Sequence, residues 1–203
     1  MPLLAAGAMF NDLSTTLSLL ETRRAGRPRD LVAPGPDAAQ LRRILSAAIR
    51  VPDHGKLAPW RFVHVPRERR VDFADLLRRA YLAANPGAGR LELEAGERFA
   101  HQAPELVVAL STPCVPHKIP VWEQQLSCGA ACMNLLTAAH ALGFAGGWVT
   151  GWATYSDLVL KAFGGGAHDR IAGFIFLGTP GGPLEERPRP AFEDVVATWT
   201  PLD

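Results

Sequence analysis

The sequence predicts one folded domain of the α/β or α+β class. Three observations carry this expectation. Helical and strand periodicities follow one another in mixed order, without the clean strand–helix–strand series of an all-parallel sheet. Two short apolar runs, 106–110 and 171–177, read as strands buried inside a sheet. The chain has 203 residues, 48% apolar and 20% charged, which is ordinary composition for one globular unit; it shows no repeat, low-complexity segment or convincing linker. Residues 14–203 are read as this domain, and 1–13 as an N-terminal extension.

Composition excludes several functions. A formal net charge of +1 leaves no broad basic face for nucleic acid. Cys114, Cys128 and Cys132 are too few and too odd in number for a disulfide framework, so a reducing, cytoplasmic setting is expected. The apolar start MPLLAAGAMF has no basic residue before it, so no signal peptide is expected. Residues 124–156 contain no Asp, Glu, Lys or Arg, which invites a membrane-spanning reading. Ser127, Asn134, His140 and the glycines at 143, 146 and 147 favour a buried helix over 121–142 and then a buried strand.

The first expected helix spans 12–24, with Leu13, Leu17 and Leu20 at helical spacing and the cations Arg23 and Arg24 in its last turn. Asp37 and Gln40 form a capping box, followed by the apolar positions Leu41, Ile44, Leu45, Ala48 and Ile49. The loop after it, RVPDHGKLAPW, carries Arg50, Asp53, His54 and Lys56 between two prolines. Proline fixes its own φ and disfavours the α region in the residue before it, so Val51 and Ala58 are expected to be extended. A stiff charged loop between packed elements suits function, although local capping by Asp53 and His54 would explain it equally well.

Residues 60–65 alternate as a strand, and 67–84 read as a helix with Val71, Ala74, Leu77 and Tyr81 inward. A turn follows at 85–89; 90–102 is either a helix or a mobile cover over a site. The strand at 105–111 leads through a Pro-rich connector to the uncharged helix. GGWVTGW, 146–152, favours a strand flanked by glycines. Thr154 to Asp157 reads as a capping box for a short helix ending at Gly164, and 178–182 as a turn. The tail from Glu185 has three prolines and no core of its own, so it is expected to lie along another surface. The pattern totals about five helices and about four strands.

Glycine-rich nucleotide motifs of the GxGxxG and GxxxxGK[ST] forms are absent, as is a GxSxG elbow. Cys114 with His117, and Cys128 with Cys132, have permissive metal spacing. The first pair sits in a Pro-rich link and the second in an Ala-rich helix where Cys acts as a small hydrophobe, so no metal is expected. His140 is read as a core or interface histidine. A distributed cation set remains: Arg23, Arg24, Arg50, His54, Lys56, Arg187 and Arg189, with Trp148, Val149, Thr150 and Gly151 offering backbone beside small residues. Such a set could clamp a phosphorylated planar cofactor, with Arg on the phosphate.

ETRRAGR, then LRRILSAAIRVPDHGKLAPWRFVHV, then IPVWEQQLSCGAACMNLLTAAHALGFAGGWVTG and IAGFIFLGTP, taken together, resemble the FMN-dependent nitroreductase family, and most closely its short bacterial NAD(P)H nitroreductase-like subgroup with a PDH…PW loop. The resemblance covers roughly residues 14–195. It implies an α+β, three-layer fold with a mixed central sheet flanked by helices. It implies a homodimer with exchanged C-terminal tails and FMN at the interface. By position, Arg23, Arg24, Ala25, Arg50, His54, Trp148, Val149 and Thr150 would contact FMN, with Lys56 and Gly151 beside them and Arg189 on the phosphate. The loop would face the partner's flavin. NAD(P)H would be the co-substrate and a nitroaromatic, quinone or similar small molecule the acceptor, in ping-pong turns; no side chain is assigned as a catalytic nucleophile. A flavin-binding carrier or sensor is the alternative. Departures are Ala25 where the family often has Ser, Ala58 where it often has Gln, and Lys56 at a position usually small or amide.

Overall fold

The computed structural model describes residues 10–201. In chain order the elements are α1 (Thr16–Thr22), β1 (Leu31–Val32), α2 (Ala38–Ala48), β2 (Trp60–His64), α3 (Arg70–Ala84), α4 (Arg90–Ala100), β3 (Glu105–Ser111), α5 (Val121–Ala141), β4 (Ala145–Val149), α6 (Asp157–Ala162), β5 (Arg170–Pro180) and α7 (Phe192–Val195). β5 is the central strand. It pairs with β3, β4 and β1, and β2 continues the sheet beyond β3.

Every pairing among the described residues is antiparallel, which corrects the mixed sheet that the resemblance implied. β3 and β4 run in the same direction, but β5 lies between them. Their shared direction therefore never becomes a parallel ladder, and α5 supplies the long crossover that joins them.

The uninterrupted apolar runs have a simple cause: both faces of the sheet are covered. Leu106, Val108, Leu110, Phe174 and Phe176 point to one side, against Phe73, Leu76 and Leu77 of α3 and Val159 and Leu160 of α6. Val107, Ala109, Ile175 and Leu177 point to the other, against Leu41, Ile44 and Ala48 of α2 and Cys128, Cys132, Leu135 and Leu136 of α5. Strand side chains alternate sides, so a strand buried on both faces loses its polar half.

Several elements lie where their patterns place them, including the Asp37–Gln40 capping box and the strand at 105–111. Others differ. Leu13, Leu17 and Leu20 are exposed; α1 begins at Thr16 and buries Leu19 and Thr22. In α3 the inward face is Phe73, Leu76, Leu77 and Ala80, while Val71 is 69% exposed. The rotation follows from Arg70, only 2% exposed, whose guanidinium donates to the carbonyls of Val65 (2.9 Å), Ala100 (2.8 Å), Gln102 (3.2 Å) and Pro104 (3.4 Å). Residues 90–100 are a helix packed on α3. Ser156, not Thr154, caps α6, because Thr154 Oγ1 donates back to the Gly151 carbonyl instead. The expected turn at 178–182 starts later: β5 runs on to Pro180 because β1 pairs with it there. Residues 1–9 of the expected extension lie outside the described residues, and Asn11 and Asp12 bond back to Thr22.

Candidate functional site

α1 ends at Thr22, and the next residues, Arg23 to Arg27, run extended against β4. The Gly26 amide donates to the Gly146 carbonyl at 3.1 Å. The approach is so close that a Cβ on Gly147 would lie 2.5 Å from the Gly26 carbonyl oxygen. Glycine at 147 is what lets the arginine segment touch the strand.

Arg24 is 5% exposed. Its amide is held by Asn11 Oδ1 (3.0 Å), its guanidinium donates to the Arg23 carbonyl (2.7 Å), lies over the Phe10 ring and pairs with Glu186. Arg27 Nη2 meets Glu185 Oε2 at 2.6 Å. Beside them is a cavity of about 460 Å³ lined by Ala25, Arg27, Leu31, Pro180, Glu185 and Arg187. Burial holds the guanidinium groups of Arg23 and Arg24 below their ordinary range, and the nearby charge of Arg189 adds to this in both. Arg23 Nη1 and Arg24 Nε are buried with no partner among the described residues. Unfilled buried donors on crowded cations are the donor set an oxyanion requires. The arrangement therefore fits a phosphate, and with the exposed backbone of Thr150 and Gly151 just past β4, where a Cβ on Gly151 would meet nothing within 4 Å, a phosphorylated planar cofactor.

His140 lies near the same cluster. It is fully buried, donates from Nδ1 to the Phe144 carbonyl at 2.9 Å, and is lowered in pKa by burial, with Arg23 contributing. Its role in the core is as expected, but Nε2 is left without a partner among the described residues.

The 50–56 loop is built differently. Asp53 accepts from the amides of Leu57 (3.0 Å) and Ala58 (2.8 Å), so the local cap is real. Ser127 Oγ donates to the Pro52 carbonyl at 2.5 Å, and Asn134 Nδ2 to the carbonyls of Ala47 (2.6 Å) and Arg50 (3.3 Å). Ala58 is not extended: its φ is +46°, because the Asp53 carboxylate curls the chain around itself. His54 Nδ1 lies 2.7 Å from Glu123 Oε2, while Arg50 and Lys56 are exposed.

The expected site residues thus fall into two groups. Arg23, Arg24, Ala25 and Arg189 gather with β4, where Trp148 Nε1 donates to the Ala172 carbonyl at 3.0 Å and Val149, Thr150 and Gly151 follow. Beyond Thr150 and Gly151 an apolar cleft of about 320 Å³ opens between Tyr81, Phe99, Trp152 and Phe174. Arg50, His54 and Lys56 stand apart. Glu123, which holds His54, is in the first turn of α5, and His140, which neighbours Arg23, is in its last turn. At the rise of an α-helix this is about 25 Å. Sequence reasoning missed Arg27, Glu185 and Glu186. Arg27 could have been found as the third arginine of RRAGR; nothing local marked Glu185 as its partner or Glu186 as that of Arg24.

The nitroreductase family profile matches residues 20–179. The chain belongs to the nitroreductase family. YdjA of Escherichia coli (strain K12), which carries the provisional name NAD(P)H nitroreductase, is 37% identical over 164 residues, covering 81% of this chain and 87% of that protein. Among solved structures, a nitroreductase-like family protein from Bacillus cereus superposes with a TM-score of 0.76 at 18% identity, covering 96% of this chain and 99% of that one. A Bacteroides fragilis nitroreductase with bound FMN gives 0.67 at 21% identity, covering 90% and 98%. These likenesses show the α+β fold of the family, a central sheet flanked by helices.

Among the described residues no group of three or more His, Cys, Asp or Glu is placed to hold a metal ion, and no helix is long and apolar enough to cross a membrane. Cys128 and Cys132 are core residues, and Cys114 is exposed.

Proposed function

We propose that this family member is an FMN-dependent oxidoreductase that takes reducing equivalents from NAD(P)H and passes them to nitroaromatic, quinone or similar small-molecule acceptors in ping-pong turns. The observation that carries the reading is the pair of buried, unfilled donors on Arg23 and Arg24, crowded by Arg189 and pressed against a Gly-lined strand. The family relatives named NAD(P)H nitroreductase and the FMN in a structural neighbour support it.

FMN, when bound, would supply the hydride chemistry; the protein supplies binding, orientation and charge. Arg23 and Arg189 would hold the phosphate. Arg24, anchored through Asn11 and Glu186, keeps the segment in place. Ala25 and the 148–151 backbone leave room for a flat ring. A cation at the edge of the ring system would stabilise negative charge gained on reduction; Arg23, Arg24 and Lys56 are the candidates, and Arg27, beside the cavity, joins them.

The functional unit we propose is a homodimer. Leu17 and Leu20 on α1, and Trp122 and Leu126 on α5, which α1 touches, are exposed apolar side chains that a partner could cover. Two copies of α5 packed antiparallel through such a face would bring the His54 loop of one protomer to the arginine cluster of its partner. The separation of about 25 Å within one chain is then a reason for pairing. The tail, with Phe192, Val195 and Trp199 exposed and Trp199 at 82%, would cover the partner. A reducing, cytoplasmic setting goes with this reading.

The test is the visible spectrum of the purified protein before and after anaerobic NADH and then NADPH. A flavin spectrum that bleaches and returns on adding a quinone is expected. Flavin without bleaching would point to a carrier or sensor. A protein that takes up no added FMN overturns the reading.

A further inference from the structure

We propose that His54 and Glu123 form a proton-donating dyad in which Glu123 positions the imidazole and His54 Nε2 delivers a proton to the electron acceptor. The inference rests on the proposed flavin site and on the loop facing the partner's flavin.

The geometry is specific. His54 Nδ1 and Glu123 Oε2 are 2.7 Å apart, from residues 69 positions apart in sequence. A carboxylate accepts only, so the ring proton sits on Nδ1 and the opposite nitrogen, Nε2, is turned outward from the pair. His54 is exposed, and among the described residues Glu123 is the hydrogen-bond partner of its ring. The other charged groups nearby are otherwise disposed. Asp53 is committed to the amides of Leu57 and Ala58, and His117 Nδ1 accepts from the Ile119 amide. Arg50, Lys56 and Lys118 are cations. Glu123 on α5 is the carboxylate that reaches His54.

The backbone around His54 is costlier than a helix-to-strand turn needs. Gly55, Lys56 and Ala58 have φ of +77°, +56° and +46°. Two of these are not glycine, and such conformations persist only when the surroundings impose them. Here they are imposed by Asp53, by Ser127 on the Pro52 carbonyl, and by Ile119, which fills the space where a Gly55 side chain would be. An exposed hydrogen-bonded pair of this kind contributes little stability by itself. Strain of this kind around a pair of little structural value is the pattern of a presented functional group.

The step balances. A quinone becomes a hydroquinone by gaining one hydride, supplied by the NAD(P)H-reduced cofactor, and one proton. The Nε2–H bond of protonated His54 breaks and an O–H bond forms at the acceptor oxygen. The electron pair stays on Nε2, the Nδ1–H stays on the ring and hydrogen-bonded to Glu123, and water restores the Nε2 proton.

The test uses the full chain with FMN as wild type, His54→Ala and Glu123→Ala. Long-range ¹H–¹⁵N spectra should show the Nδ1–H tautomer of His54 in wild type and a shift toward Nε2–H in Glu123→Ala. Reoxidation of pre-reduced enzyme by menadione should slow about 100-fold in His54→Ala, within the range of general acid catalysis, and recover with added imidazole. Glu123→Ala should slow it about tenfold, with FMN retained. FMN uptake with unchanged reoxidation in His54→Ala, or an Nε2–H tautomer in wild type, overturns the dyad. Failure of the wild type to take up FMN overturns the flavin reading and removes the dyad's role with it.

Discussion

The Gly26 amide donates to the Gly146 carbonyl at 3.1 Å, and through that bond the arginine segment after α1 is laid along β4. It joins two stretches more than a hundred residues apart, and the candidate anion site is built on it.

The contact leaves no room at Gly147. In Gly147→Ala the new methyl would meet the Gly26 carbonyl and Pro28, and both belong to a segment held at each end. Overpacking of this kind costs about 1–3 kcal/mol. We expect a lower denaturation midpoint together with weaker FMN binding, measured by urea titration and flavin fluorescence. Unchanged values in both would mean that the segment can move away freely.

Arg23→Ala removes a half-buried cation whose Nη1 is buried without a partner among the described residues. Loss of a charge-assisted hydrogen bond of about 1.5–3 kcal/mol corresponds to roughly 10- to 150-fold weaker FMN binding. Riboflavin, which lacks the phosphate, should be affected much less. Full FMN retention through dialysis would remove Arg23 from the site.

Arg70 answers four backbone carbonyls from inside the protein, and burial pushes its guanidinium down to about 10. Arg70→Ala leaves those carbonyls unpaired, and we expect a loss of at least about 3 kcal/mol, a fall in Tm of about 6–12 °C. Arg70→Lys, without the planar fork, should recover less than half. A Tm within 1 °C of wild type by calorimetry, roughly the effect of an ordinary surface substitution, would contradict this.

His140 makes stability depend on pH in a defined direction. Burial lowers its pKa below the ordinary 6.5, so the folded protein binds the proton less readily than the unfolded chain. Stability from this group is complete above 6.5 and declines as pH falls below it toward the folded value. Urea midpoints of the wild type should drop as pH falls below 6.5 more steeply than those of His140→Gln. Parallel curves would assign the acid sensitivity to other groups.

Much was legible in the sequence because the signals are local. The Asp37–Gln40 box, the uncharged helix ending before Gly143 and the two-sided burial of 105–111 each follow from neighbours in the chain. RRAGR and PDHGKLAPW could be singled out because cations and prolines restrict chemistry and backbone wherever they stand.

What the tertiary structure decided depended on partners remote in sequence. Which face of α3 turns inward was set by carbonyls at 65, 100, 102 and 104, which Arg70 seeks out. Ala58 took a positive φ against its proline neighbour because the Asp53 carboxylate gathers two amides there. The antiparallel sheet arose because β5 came between β3 and β4, and strand direction leaves no trace in residue periodicity. The sequence by itself determined the helices, most strands and the charged segments, since propensity and spacing act over a few residues. Only the fold brought Arg23 and Arg24 to Gly146 and Arg189 while holding His54 at the far end of α5, because long-range packing, not local preference, sets those distances.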